Sequence, residues 1–150
     1  MMDDAMFDKI YEMKATSKQF LREANKCEAN RKKYEMRIKG LLQKNDIDGA
    51  KIAAQQAISY KNQAVRMNTL GHKVGTIATK LQGAARTMAM SSTLKNLVAS
   101  MPQFATIEQS ANAMETLDNF EKMVDNIDVH TTMMNGVFDN MTDTASNEEE

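Results

Sequence analysis

The chain has 150 residues, 42% of them hydrophobic and 26% charged, with 14 Met, one Cys, one Pro and no Trp. That length suits one domain, and six Gly plus one Pro are too few for a turn-rich β-sandwich, so long helices are expected. The net charge of −1 conceals a split: residues 1–100 hold 18 bases and 9 acids, while residues 101–150 hold one base, Lys122, and 11 acids. A body of +9 followed by a segment of −10 suits an anionic surface, an acidic partner, or masking of one half by the other.

No stretch approaches the 18 apolar residues of a membrane-spanning helix, so any membrane contact is expected to be peripheral. Asp3, Asp4 and Asp8 replace the basic start of a secretory signal. Cys27 stands alone, which precludes an internal disulfide and fits a reducing compartment.

The first segment runs from about Asp4 to Lys44. Stepping by threes and fours from Ile10 gives Met13, Ser17, Phe20, Ala24, Cys27, Arg31, Tyr34, Ile38 and Leu41, with Ser17 and Arg31 as the polar exceptions. This is a heptad-type helix about 60 Å long. Asn45-Asp46-Ile47-Asp48-Gly49 then predicts a tight turn, with Asn45 or Asp46 as N-cap of the next helix.

The second segment is the most regular. From Ala50 the same step gives Ala53, Ala57, Tyr60, Ala64, Met67, Gly71, Val74, Ala78, Leu81, Ala85 and Met88, all apolar or small. Small residues let a partner backbone approach, and a short turn makes the two helices an antiparallel hairpin. The expected hairpin core is Phe20, Cys27, Tyr34, Ile38, Ala57, Tyr60, Ala64, Met67, Val74 and Leu81. Gly71, Gly75 and Gly83 each weaken the helix by about 1 kcal/mol relative to Ala, so packing must hold it.

The second helix is expected to fade near Ser100. Pro102 suits the first turn of a new helix, and Ser100 with Pro102 forms a candidate hinge. Ile107, Ala111, Met114, Leu117, Val124, Ile127, Met134, Phe138 and Met141, interleaved with Glu108, Glu115, Asp118, Glu121, Asp125 and Asp128, predict one or two acidic amphipathic helices with a possible break at Asn135-Gly136. The expected organisation is a basic hairpin over 1–100 with its turn near 45–49, acidic helices over 101–141, and a disordered acidic tail over 142–150. The fold class is all-α: a long antiparallel hairpin followed by shorter acidic amphipathic helices.

Lys14, Lys18, Arg22, Lys26, Lys33, Arg37 and Lys44 are spaced 4, 4, 4, 7, 4 and 7, which puts them in one arc opposite the apolar stripe of the first helix. Such a row, about 45 Å long, can meet an anionic bilayer, each base contributing on the order of 1 kcal/mol before screening. It is equally the solvated face that any amphipathic hairpin has. The membrane-contacting candidates are Lys14, Lys18, Arg22, Lys26, Lys33 and Arg37. Nucleic acid is not expected, since no aromatics interleave with the bases. Ile47, Ile58 and Val65 leave the second helix another apolar edge that could meet a neighbouring chain. Met88, Met90, Met133, Met134 and Met141 suit either core or surfaces that repack on assembly. Met1, Met2, Met6 and Phe7 could enter a membrane interface, or form a frayed helix start.

Nothing points to catalysis. His72 and His130 have no second ligand at metal spacing, Cys27 sits on the apolar stripe, and no phosphate-binding glycine loop occurs. No catalytic, metal or cofactor site is expected.

The run Ala50-x-Ile52-x-Ala54-x-x-Ala57-Ile58-x-x-Lys61-Asn62-Gln63-Ala64-Val65 resembles the second helix of ESCRT-III subunits of the charged multivesicular body protein 1 family. Lys26-Cys27, Ile38-Lys39, Gln43-Lys44 and Asp128-Val129-x-Thr131 extend the resemblance over about residues 7–141. It implies a non-enzymatic subunit that is cytosolic, acts peripherally on endosomal membranes, and polymerises there with itself and other ESCRT-III proteins for membrane remodelling and scission, multivesicular body sorting and vacuolar transport. It also implies a closed form, with the acidic part folded on the basic hairpin, and an open form in which the second helix runs on into the third. Pro102 stands against a smooth fusion of those helices. Family members continue to a C-terminal helix that binds the microtubule-interacting-and-transport domain of an AAA ATPase, so that partner is expected only where a C-terminal extension exists. The rival expectation from the residues alone is a soluble coiled-coil adaptor that binds proteins without lipid.

Overall fold

The computed structural model of the chain describes residues 2–88 and 92–127. Two helices of equal length dominate it: α1, Met2–Gln43, and α2, Ile47–Met88, each about 63 Å long. A shorter helix follows, α3, Ser92–Ala99. Next come two 3-10 turns over Met101–Gln109, meeting at a kink at Thr106, and a last helix, α4, over 113–127. The described residues contain no strand, and the all-α hairpin stands. The expectations for Met90, Asp128, Val129, His130, Thr131, Met133, Met134, Asn135-Gly136, Phe138, Met141 and the tail 142–150 lie outside the described residues, as does the Met88 side chain.

The turn is built by two adjacent residues with different tasks. Asn45 takes a left-handed conformation (φ 59°), and the Asp46 N–H donates to Leu41 O at 2.9 Å while the Asn45 N–H donates to Leu42 O at 3.1 Å. This Schellman arrangement satisfies the last carbonyls of α1. Asp46 then caps α2, its Oδ1 accepting the Gly49 N–H at 2.9 Å. Asn45 ends one helix and Asp46 starts the next.

Burial along the α1 stripe falls toward this turn. Ile10, Met13, Ser17, Phe20 and Ala24 are buried, whereas Cys27, Arg31, Tyr34, Ile38 and Leu41 are half-buried. On α2, Ala50, Ala53, Ala57 and Ala64 are buried through their small size, Tyr60 and Met67 are half-buried, and Leu70, Val74, Ile77, Ala78 and Leu81 are fully buried. Of the expected hairpin core, therefore, Phe20, Ala57, Ala64, Val74 and Leu81 are buried and Cys27, Tyr34, Ile38, Tyr60 and Met67 are half-buried. The cause is a difference in thickness, because near the turn the hairpin has only two helices, and a two-helix layer leaves its larger side chains partly wet. Tyr34 and Tyr60 stack across that thin section with ring centroids 5.5 Å apart.

The other end is three layers thick. The apolar pattern predicts a second helix reaching about Ser100, but α2 is described to Met88 and α3 is a separate helix that has turned back. Its Lys95 and Val98 line the same small cavity as Ala5, Met6 and Lys9 of α1. Burial of Leu94, Leu97 and Val98 accounts for the reversal, since a continuation of α2 would have carried these side chains past the end of α1. Met6 is buried and Phe7 packs on the core, so these two N-terminal residues serve the fold rather than a membrane interface.

From Met101 the chain runs alongside α1. Met101, Pro102, Phe104 and Ala105 line a cavity with Lys9, Glu12, Met13 and Thr16, and Glu108 reaches the level of Gln19 and Glu23. There it reverses, and α4 descends parallel to α2. A short second hairpin thus lies over the base of the long one, its limbs joined by the edge-to-face pair Phe104–Phe120, with ring centroids 4.9 Å apart.

Candidate functional site

The basic row of α1 forms a ridge on the outside of the hairpin. Lys18, Arg22, Lys26, Lys33, Arg37 and Lys44 are exposed; Lys14 is half-buried and its Nζ donates to Gln82 Oε1 on α2. Lys26 lies 3.5 Å from Glu23 with its side chain 73% exposed, a weak contact. Arg37 lies over the Tyr34 ring at 5.1 Å, which stiffens that part of the ridge. The structure therefore leaves the Lys18–Arg37 ridge, about 30 Å long, open to solvent. Arg31 is not part of it. Its guanidinium bridges Glu28 and Glu35 one turn to either side, which holds the Glu28 carboxyl below its ordinary range, chiefly through the hydrogen bond from Arg31.

The acids of α4 meet bases of α2, not the ridge. Lys73 pairs with Asp118, and Lys80 Nζ donates to Glu121 Oε1 at 3.0 Å and to Asp125 Oδ1 at 2.7 Å. These two carboxylates, Asp125 first, raise the Lys80 pKa. One turn-pair earlier, the Arg66 guanidinium donates to the main-chain oxygens of Glu108 at 2.7 Å and Ser110 at 2.8 Å. Lys73 and Lys80 are seven residues apart, as are Asp118 and Asp125, so two parallel helices with matched heptads place each of these lysines opposite its acid, while Arg66, seven residues earlier, meets main-chain oxygens just before α4. Sequence reasoning missed all three of these bases; the shared seven-residue spacing is the signal that could have found them.

Magnitudes decide what holds α4 down. Partly exposed ion pairs contribute about 0.2–1 kcal/mol each, while burying a Leu, Val, Ile or Phe side chain contributes about 1.5–3 kcal/mol. Beneath the ion pairs Ala113, Leu117, Phe120, Val124 and Ile127 are all buried. The apolar face holds α4, and the ion pairs set its register. Among the described residues the acidic segment thus packs on the α2 side of the hairpin and not on the α1 ridge.

The remaining expected features fall as follows. Ser100 follows the end of α3 and its Oγ donates to Leu97 O at 2.7 Å; Pro102 stands in the first 3-10 turn. Ile47, Ile58 and Val65 are each about 60% exposed, and so is Ile52. Met13 and Met101 are buried and Met114 packs half-buried against the core, while Met36 and Met123 are exposed. The Cys27 thiol is half-buried 3.8 Å from Gln63 Oε1, and burial, then the charge of Glu23, pushes its pKa up, which disfavours the thiolate. His72 is exposed, and among the described residues no three His, Cys, Asp or Glu gather at metal-binding distance. No helix among the described residues is long and apolar enough to cross a membrane.

Comparison with known proteins gives this arrangement a family. The Snf7 family profile matches residues 8–150. The chain is 26% identical over 147 residues to the ESCRT-related protein CHMP1 of Oryza sativa subsp. japonica, covering 98% of this chain and 72% of that protein. It is 27% identical over 141 residues to charged multivesicular body protein 1 of Dictyostelium discoideum, covering 94% and 73%. With charged multivesicular body protein 1a of Danio rerio it shares 28% identity over 129 residues, covering 86% and 65%. A family match over nearly the whole chain, on a long helical hairpin with a shorter helical return, establishes that the protein belongs to the Snf7 family.

Proposed function

We propose that the protein is a non-enzymatic ESCRT-III subunit of multivesicular body sorting. It works in the cytoplasm and peripherally on endosomal membranes, where it binds anionic lipid and assembles with itself and other ESCRT-III subunits into filaments that remodel the bilayer. The names of its relatives, ESCRT-related and multivesicular body proteins, support the pathway. The observation that carries the membrane contact is the ridge of α1: its bases stay solvent-facing while Asp118, Glu121 and Asp125 of α4 are occupied on α2. In this reading Lys18, Arg22, Lys26, Lys33 and Arg37 dock on lipid, with Lys14 at the edge, and the bend at Ser100–Pro102 is where the covering layer moves.

Co-sedimentation with vesicles containing phosphatidylserine tests it. Each base near an anionic surface contributes on the order of 1 kcal/mol, so Lys18→Glu, Arg22→Glu and Lys26→Glu together should weaken binding by more than about tenfold, and rising salt should do the same. Binding indifferent to both changes would rule out ridge docking. Discrete oligomers without filaments or tubules in negative stain, with or without vesicles, would favour a protein adaptor instead.

A further inference from the structure

The covering layer begins at the level of Glu108, and at that step a cleft of about 370 Å³ opens between α1, α2 and the end of the 3-10 segment. Phe20 and Met67 give it apolar walls, and Glu23 and Glu108 bring carboxylates to it. Glu108 Oε2 is buried and has no hydrogen-bond partner among the described residues. A carboxylate oxygen withdrawn from water without a donor is destabilising, so the site is chemically incomplete as it stands. Arg66 lines the same cleft, but one of its nitrogens already serves two main-chain carbonyls, which fixes the guanidinium against the backbone. A cleft with apolar walls at Phe20 and Met67 and the carboxyl-bearing Glu23 and Glu108 in its lining suits a long aliphatic stem with a cationic head.

We infer that this cleft receives a lysine or arginine side chain from a second copy of the chain. Charge complementarity selects that occupant: 18 of the 19 bases lie in the first hundred residues, and the exposed row of α1 presents them as long, unburied side chains. The inference rests on the self-assembly proposed above and gives it one specific contact, in which one exposed base of α1 enters the step of the next copy while the rest of the row faces lipid.

Cys27 lines the cleft and is the only cysteine, so it reports directly on occupancy. Light and ¹⁵N-labelled protein are mixed on phosphatidylserine vesicles and treated with a short maleimide–succinimidyl ester cross-linker. Mixed-label peptides joining Cys27 to lysines of α1 are expected, with yield reduced about fivefold or more by Glu108→Gln. Filaments that form with links only inside one chain would overturn the inference and leave the family function standing. Absence of any assembly on vesicles would remove both.

Discussion

Ser17 Oγ donates to Gly71 O across the hairpin seam at 2.6 Å, a buried bond between residues 54 apart in sequence. It exists because α1 and α2 approach unusually closely there. A Cβ on Gly71 would stand 2.8 Å from Leu21 Cδ2 and 3.2 Å from Ser17 O, and one on Gly75 would stand 2.8 Å from Ser17 Oγ. Gly75 thus makes room for the side chain of Ser17, one of the two polar exceptions in the α1 stripe, and Gly71 for the neighbouring Leu21. Gly71→Val should lower the midpoint of thermal unfolding followed by helical circular dichroism, by the roughly 1–3 kcal/mol typical of overpacking. A Cβ on Gly83 would meet nothing within 4 Å, so Gly83→Ala should stabilise by about 1 kcal/mol. Equal effects from the two substitutions would refute the close-crossing account.

The two layers of attachment at α4 can be separated. Leu117 is fully buried, and Leu117→Ala should cost about 2–5 kcal/mol and speed amide hydrogen exchange throughout α4. Lys80→Ala removes two partly exposed ion pairs and should cost about 1 kcal/mol or less. High salt should follow Lys80→Ala, not Leu117→Ala. Release of α4 by salt alone would mean that charge, not the apolar face, holds it.

The turn offers a test of paired capping. Asp46→Ala should destabilise by about 1 kcal/mol through loss of the cap on the Gly49 N–H. Asn45→Gly should be tolerated, since glycine adopts the left-handed conformation freely, while Asn45→Val should destabilise. Denaturant midpoints of the three variants check the order.

Two titrations have defined signs. The folded-state pKa of Lys80 is raised, so its contribution is complete below the ordinary lysine value of about 10.4 and is lost as pH rises through the raised value. That of Glu28 is lowered, so its contribution is complete above about 4.3 and is lost as pH falls through the lowered value. Alkali should therefore loosen α4 through Lys80, and acid should loosen the middle of α1 through Glu28. Lys80→Met should abolish the alkaline part of the exchange profile of α4; an unchanged profile would show that Lys80 does not carry it.

Both long helices were legible because a stripe of threes and fours persists through more than thirty residues on each side of Asn45-Asp46. The family was legible in the same way, from the Ala50–Val65 run. The third layer was not. Leu70, Ile77 and Ala84 lie off the Ala50–Met88 stripe, yet all three are buried, because the covering layer doubles the width of the apolar face on that half of α2. Pro102 announced a break, but a proline marks where a helix cannot continue and says nothing of Met88, some way upstream. The ridge was readable from spacing alone, whereas the partners of the acids were not. Glu and Asp on α4 could have faced either basic row, and only the parallel descent of α4 along α2 decides for Lys73 and Lys80.

The change from three layers to two near Arg66 and Glu108 has a mechanical side. Resistance to bending rises steeply with thickness, so the base of the hairpin is a stiff handle and the section from about Phe20 to the turn is a compliant blade. A load applied at the turn would flex the protein at the step, beside Cys27 and the Tyr34–Tyr60 stack, and leave the packed base unchanged. A hairpin built this way can bend in its thin half without unfolding any helix.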